Sequence, residues 1–525
     1  MSCQAYKSKQ QSSFLPSLKR GQGISINILS DPLTLDPRKA FLLRDINLSK
    51  MFMDGLMREK GDEILPAIAK SYKISEDGRV YTFFLREAFW TNGDPVVASD
   101  FVYSWKKSLA QDFMSKMSFL LFAIKNAHSI KSGKLPVSAL GAIAQDDETL
   151  IVILERPLLH FLELLTFPVF FPINRKIDQE NEKWHVHVDS FVSNGPFRLD
   201  SWIRNNYMIA KKNQQYWDSC SVRLSSIHMF MVSADIGMKM LSCGELDWEG
   251  SPFSIIPLDL LDRFQKLYSF VVVPSLGTMY LRINGKDPFL KRKSFRKALA
   301  HAIDREEMTK NLFQGFLQPA YSFVPPFFCL HEKLPLLNEG RFEKMKHFLE
   351  RELKMEGYHI EDIPPFTLLI GNEPRNNYLV ALTMIEQWKK NLGIRVNLEI
   401  VENKMAISRY VDEQFQLGLG GWFADYRDPM NFLEIFYEKH APVNIANWEN
   451  VDYQKTIEDS YACANKRDWE KRKTKLCESE MILMEDLPLI PLLHFSIIYA
   501  KNNNVKDVFV TEKGGIDFKW AYLSS

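Results

Sequence analysis

The sequence predicts an α/β protein of two or three lobes, and three observations lead there. At 525 residues the chain is too long for one ordinary core. A helical pattern at residues 376–393 runs directly into a strand pattern, the order that builds α/β lobes. The composition, 46% hydrophobic and 25% charged without repeats or low-complexity segments, is that of a globular chain. No long linker divides it, so the lobes are expected to share strands that cross back and forth.

The elements run in chain order. Ile24, Ile26 and Ile28 alternate as in a strand, and two Asp-Pro steps in "SDPLTLDPRKA" then turn the chain. The stretch "ISEDGRVYTFFLREAFWTNGDPV" reads as a β segment bounded by Asp-Gly and Asn-Gly-Asp-Pro turns. Ser99 or Asp100 is expected to cap a helix carrying Phe101, Trp105 and Leu109 on one face. The longest apolar run, Phe161 to Ile173, contains Glu163 and two prolines and falls short of the roughly 18 residues of a membrane span. It reads as core. Residues 294–314 predict one amphipathic helix, with Phe295, Ala298, Leu299, Ala302 and Ile303 on its apolar face and Gly315 as its stop. The later helix ends at Gly393, and Ile394, Val396, Leu398 and Ile400 then alternate as in a half-buried strand.

Charge excludes several classes of function. The 66 basic and 65 acidic residues nearly cancel, which argues against nucleic acid or an anionic membrane as partner. The runs Lys291–Lys293 and Glu470–Lys473 read as solvated helix faces. The opening "MSCQAYKSKQQSSFLPSLKRGQG" has no apolar h-region, so residues 1–23 read as a polar, disordered tether without an intact secretory signal. Cys3 follows a small residue and is either a lipid-attachment cysteine or a plain thiol. The six cysteines have no CxxC and no spacing with histidines that suits zinc, and a Cys220–Cys243 pair is left open. There is no HExxH, GxSxG, Walker loop or GxGxxG after a strand. His185 and His187 place two imidazoles on one strand face but lack a third ligand, so ordinary histidines are the better reading. "GLGG" at 418–421 is too short for a phosphate cradle.

One segment invites a binding reading. "GWFADYRDPMNFL" (421–433) sets Asp425 between large aromatics just after an apolar stretch. A carboxylate leaving water needs a partner or it neutralises. Asp425 either caps a turn before Pro429, pairs with Arg427, or waits for a ligand cation. Gly420 and Gly421 permit close approach of another backbone, so an extended peptide adding to a strand edge would suit the segment.

Five segments carry a resemblance to a known family: "LTLDPRKA", "LREAFWTNGDPVVASDFVYSWKKSL", "VSNGPFRLDSW", "FRKALAHAIDREEM" and "GWFADYRDPMNFL". In this order they resemble the extracellular solute-binding proteins, family 5, of ABC importers, most closely the oligopeptide-binding members. The resemblance implies a periplasmic-binding-protein-like fold (type II, cluster C) with a ligand cleft between two α/β lobes. It puts lobe I at 24–43, 170–278 and 493–525, an inserted small domain at 44–169, and lobe II at 279–492. It implies a monomeric carrier rather than an enzyme, with short peptides and membrane permease subunits as partners and no cofactor or metal. The location it implies is the bacterial periplasm or the outer face of the cytoplasmic membrane, with a possible lipid anchor at Cys3.

Carried over by position, Asp425 matches the acid that pairs with the ligand's α-amino group, and Trp422 the aromatic beside it. Gly421 to Phe423 match a strand that hydrogen-bonds the peptide main chain, and Asp31 to Leu33 the opposing segment. Tyr103 matches a pocket aromatic, and Tyr280 joins the ligand-binding set. The chain also departs from the pattern. A disulfide of some relatives would fall at Gly277 and Phe423, and arginines for the ligand carboxylate at Leu419 and Tyr410. Arg409, beside Tyr410, or Arg375 in "GNEPRNNY" are the replacements on offer. A cell-wall peptide, a metal chelate, haem or glutathione would keep the fold and change the ligand. A ligand-sensing domain of a transcription regulator would need a DNA-binding segment, which residues 1–23 are too short to hold. A hydrolase would need a nucleophile and base within reach.

Overall fold

The computed structural model describes residues 22–524, apart from 258–259, 262, 264, 266–268, 331–341, 373–374, 440–443, 445, 466–467 and the side chains of 375, 464 and 465. Cys3 and nearly all of the expected tether lie outside the described residues. The chain folds into two compact units, one running to Val271 and resuming at Ile498, the other Val272–Ile497. It passes between them within two long strands, Val271–Ile283 and Leu489–Lys501.

In the first unit the main sheet runs from the end of Leu489–Lys501 through Trp248–Gly250, Gly23–Asn27, Ser226–Phe230 and Tyr207–Lys212 to Phe197–Ile203. Gly23–Asn27 pairs in parallel with Ser226–Phe230, and its alternating Ile24 and Ile26 are fully buried, as their spacing predicts. A separate sheet orders Ala69–Ile74, Val80–Leu85, Thr149–Ile153 and Ala142–Ala144. Its strand Val80–Leu85 buries Tyr81, Phe83 and Leu85 on one face. The helix beside it, Ala98–Leu109, begins earlier than the sequence suggested, with Val97 in the capping position. Asp100 acts instead from the third helical residue, its carboxylate accepting from the Val97 N–H at 3.2 Å and the Trp90 indole at 3.1 Å. Burial pushes that carboxyl up to about 6. Phe101, Trp105 and Leu109 are buried together as expected, and so are Phe161, Leu164, Val169 and Phe170 of the apolar run.

In the second unit the order is Val396–Val401, Phe366–Gly371, Leu417–Phe423, Val271–Ile283 and Leu489–Lys501. The single helix expected at 294–314 is two, Lys293–His301 and Arg305–Phe313. The break has a local cause: the Asp304 carboxylate accepts from the Glu307 N–H at 2.8 Å and so starts a fresh helix. The apolar face survives the break, because Phe295, Ala298, Leu299, Ala302 and Ile303 are all buried. Val396–Val401 is the outermost strand in this order, which leaves Ile400 exposed rather than half-buried. Among the described residues no helix is long and apolar enough to cross a membrane, and no disulfide joins Cys220 to Cys243.

Buried charges tie the end of the chain to the first unit. Arg58 binds Asp517 at 2.7 Å and Asp54 at 3.3 Å, while Lys513 sits between Glu59 at 3.0 Å and Glu163 at 2.6 Å. Glu249, on the short strand beside Gly23–Asn27, is fully buried, with no cation among the described residues paired to it. Asn27 and Ser254 donate to its carboxylate at 2.9 and 2.6 Å. Burial outweighs these bonds and pushes Glu249 up to about 7.

The folded protein therefore holds a proton that the unfolded chain releases above its ordinary carboxyl range, so stability falls as pH rises from about 4.5 to about 7. Thermal melts at pH 5 and pH 8 check this. Relative to wild type, Glu249→Gln should gain on the order of 3 kcal/mol between the two pH values, the linkage worth of such a shift.

Candidate functional site

The segment that stands out in the sequence emerges on the second unit's strand Leu417–Phe423. That strand pairs antiparallel with Val271–Ile283 along its whole length, from Leu417 opposite Ile283 to Phe423 opposite Gly277. The Ala424 N–H donates to the Leu276 carbonyl at 2.7 Å and the Asn284 N–H to the Gln416 carbonyl at 2.9 Å. Backbone groups alternate along a strand, so the even-numbered residues face this partner. Leu419, Gly421 and Phe423 direct their N–H and C=O groups to the opposite edge. The parallel neighbour on that edge covers only Leu417 and Gly418. Among the described residues no strand pairs with the edge from Leu419 to Phe423, and Gly421 and Phe423 are exposed.

The turn after this strand is fixed by one residue that sequence reasoning missed. Asn431 is almost fully buried on the short helix Met430–Leu433. Its side-chain and main-chain oxygens each accept from the Trp422 indole N–H at 3.0 Å, and its side-chain oxygen also accepts from the Asp425 N–H at 3.2 Å. The aromatic and the half-buried acid are thus set by a common anchor. Asp428 starts that helix by accepting from the Met430 N–H at 2.9 Å, and Arg472 holds Asp428 at 2.9 Å. The legible signal was the Asp428-Pro429 step, which opens a helix and turns Asn431 back toward Trp422.

The remaining second-unit candidates divide. Tyr280 lies opposite Gly420, largely buried, its ring edge-on to Phe323 at 5.4 Å. Tyr410 is a core residue rather than a lining one: its hydroxyl donates to the Leu369 carbonyl at 2.6 Å, and its ring packs against Gly418. Burial pushes its phenol up to about 12. The Arg409 guanidinium is taken up by Glu399, at 2.6 and 3.1 Å, and by the Gln414 carbonyl at 3.1 Å. That ion pair removes it as a ready carboxylate receiver. Arg375 opens the helix Arg375–Leu392, and its side chain lies outside the described residues. An unforeseen arginine, Arg282, lies over the Tyr280 and Tyr410 rings at 5.1 and 5.3 Å.

At Gly277 and Phe423, cross-strand partners in the register, aromatic packing stands where a disulfide was in question. Phe423 stacks on Phe495 with ring centres 4.6 Å apart and planes 13° apart. A Cβ on residue 277 would come within 2.6 Å of the Phe423 ring, so only glycine fits beneath it.

In the first unit, Asp31 accepts from the Trp202 indole at 2.6 Å and the Asn205 N–H at 2.7 Å. Leu33 presents an exposed side chain, but its N–H is given to Asp45 at 3.2 Å. Tyr103 donates to Asp178 at 2.6 Å, and Asp178 is itself held by Arg38, which Asp36 grips from the other side at 2.8 Å. Burial and the Asp178 carboxylate raise the Tyr103 phenol above its ordinary range. His185 lies 3.5 Å from the Thr34 hydroxyl. Among the described residues no group of three or more His, Cys, Asp and Glu side chains is placed to hold a metal ion.

Comparison with known proteins agrees with this architecture. Residues 63–442 match the family model described as bacterial extracellular solute-binding proteins, family 5 Middle. An oligopeptide-binding protein of Bacillus subtilis is 33% identical over 95% of this chain and 92% of its own length. A dipeptide-binding protein of the same organism is 32% identical over 94% and 91%. A crystal structure of Haemophilus influenzae OppA in complex with RPPGFSPFR superposes with a TM-score of 0.81 at 26% identity, covering 96% of this chain and 99% of the other. The chain belongs to the bacterial extracellular solute-binding proteins of family 5.

The strand register can be tested by chemistry. Gly277 and Phe423 form a pair without mutual hydrogen bonds, whose Cα atoms lie about 4.5 Å apart, within reach of a disulfide. Gly277→Cys with Phe423→Cys should oxidise to a bridge, read as lost thiols and two lost hydrogens by mass spectrometry. Gly277→Cys with Trp422→Cys, whose side chains leave opposite faces, should remain reduced.

Proposed function

We propose that this protein is the substrate-binding component of an ABC peptide importer, which captures short peptides outside the cytoplasm and hands them to membrane permease subunits. The observation that carries the reading is the strand edge at Leu419–Phe423, which no described strand covers, whose Gly421 and Phe423 are exposed, and which ends beside Asp425. An extended peptide adds to such an edge by main-chain hydrogen bonds, which give affinity without reading side chains. Its α-ammonium pairs with Asp425, and Trp422, fixed by Asn431, shields that pair from water. Charge-assisted hydrogen bonds of this kind are about twice as strong as neutral ones.

The names of the relatives support the same class of ligand: oligopeptides for one Bacillus subtilis protein, dipeptides for the other. Tyr103 and the Asp31–Leu33 segment are assigned to the site on the resemblance alone, with residues 44–169 read as an inserted small domain. Cys3, preceded by the small residue Ser2, is a lipid-attachment candidate, with a plain thiol as the alternative.

Asp425→Ala should weaken binding of a free tri- or tetrapeptide by about 2–5 kcal/mol, the range for truncating one partner of a buried charged pair. Calorimetric titration of ligand-stripped protein checks it, with the melting temperature as control for folding. N-acetylated peptides, which offer no ammonium, should bind wild type poorly and be indifferent to the substitution. A loss under about half a kcal/mol with folding intact contradicts the assignment.

A further inference from the structure

We propose that Arg282 is the receiver of the ligand's carboxylate and so sets the length of peptide this protein prefers, an inference that rests on the peptide-binding reading above. Arg282 stands on the strand Val271–Ile283, opposite Gly418 in the register. It shares a sheet face with Tyr280, Gly418, Gly420 and Trp422, because alternate residues of paired strands project together. Its guanidinium lies flat across Gly420, where a Cβ would come within 2.5 Å of Nε. The tyrosine rings of Tyr280 and Tyr410 flank it.

The electrostatics of this arginine set it apart from its neighbours. Arg409 has Glu399 and Arg472 has Asp428, but no carboxylate among the described residues lies within ion-pairing distance of Arg282. Among the described residues its one hydrogen bond is a long one, from Nε to the Leu419 carbonyl at 3.4 Å. The two terminal nitrogens of the fork, the pair that grips a carboxylate with two parallel bonds, are left for another acceptor. A half-buried guanidinium without an anion carries a desolvation cost that two cation–π contacts only partly offset. The rings hold the cation flat and in place, which lowers the entropy lost when an anion binds.

The position of Arg282 points the same way. Leu419, whose carbonyl accepts from Arg282, marks the end of the edge, which the neighbouring strand closes at Gly418. The edge therefore has an acid beyond one end, at Asp425, and a cation at the other, at Arg282. Ammonium at one and carboxylate at the other is the polarity of a peptide with both termini free. A strand rises about 3.3 Å per residue, so Leu419 to Phe423 spans about 13 Å, an extended ligand of roughly three to five residues.

The test titrates tetra-alanine, tetra-alanine amide and N-acetyl-tetra-alanine into ligand-stripped wild type, Arg282→Met and Arg282→Lys, with melting curves to verify folding. In wild type, amidation should cost about tenfold or more in affinity, as expected for losing one charged partner at a half-buried site. In Arg282→Met the free acid should fall to the affinity of the amide, and the amide should bind as it does to wild type. Arg282→Lys should recover part of the preference for the free acid. The N-acetyl penalty, which reports Asp425, should be unchanged in both variants. Equal affinity of acid and amide for wild type overturns the role of Arg282 while the N-acetyl penalty leaves peptide binding intact. So does an amidation penalty that persists in Arg282→Met. Binding of none of the three peptides overturns both this inference and the reading beneath it.

Discussion

The binding face depends on one register: strand Leu417–Phe423 laid antiparallel on Val271–Ile283 with Gly277 opposite Phe423. A slip of one residue would exchange the two faces of the strand. Phe423 would leave Phe495, and Trp422 would leave Asn431. Arg282 would lose the glycine surface it lies across. The register is pinned from both sides by sterics. Gly277 admits no side chain beneath Phe423 and Gly418 none beneath the Tyr410 ring, while a side chain at Gly420 would displace the Arg282 guanidinium. Glycine in a strand normally weakens it. Here three of them allow large side chains to lie on the sheet, and the packing recovered holds the strand in place.

Electrostatics then divides the charged residues into those satisfied within the fold and those turned to other uses. Arg38 lies between Asp36 and Asp178, Arg58 between Asp54 and Asp517, and Lys513 between Glu59 and Glu163. Each is a buried cation with two acids, the arrangement that compensates desolvation. Beneath the site, His494 is buried against Thr278 at 2.9 Å and held down to about 4 by that burial, so it adds no charge there. Against this background a half-buried arginine with two aromatic rings and no acid among the described residues stands out as a group kept for a partner.

Much of this was legible in the sequence, for physical reasons that differ by element. Period-two and period-3.6 patterns located Gly23–Asn27, Ala98–Leu109 and Arg375–Leu392, because burial on one face imposes the period, and flanking turn signals located Val80–Leu85. The segment at 421–433 announced itself through an acid among aromatics. What the sequence hid depends on contacts across space. The division of 294–314 into two helices comes from Asp304 capping a turn, which an unbroken apolar stripe conceals. The demotion of Tyr410 to core comes from Gly418 beneath it, and that of Arg409 from Glu399, ten residues upstream. Asn431 is signalled only by the Asp428-Pro429 step that opens its helix, and Arg282 carries no local signature at all. One acts through a turn back to Trp422, the other across a strand pair, and only the fold brings them to the site.

Whether the open edge between Asp425 and Arg282 holds short peptides with free termini can be read from native mass spectrometry of the purified protein, before and after unfolding and refolding to strip bound ligand. A carrier of such peptides gives a ladder of added masses fitting short peptides, absent after refolding and restored by tri- or tetrapeptides. A single discrete mass, restored only by a metal chelate or another non-peptide solute, would contradict the peptide reading.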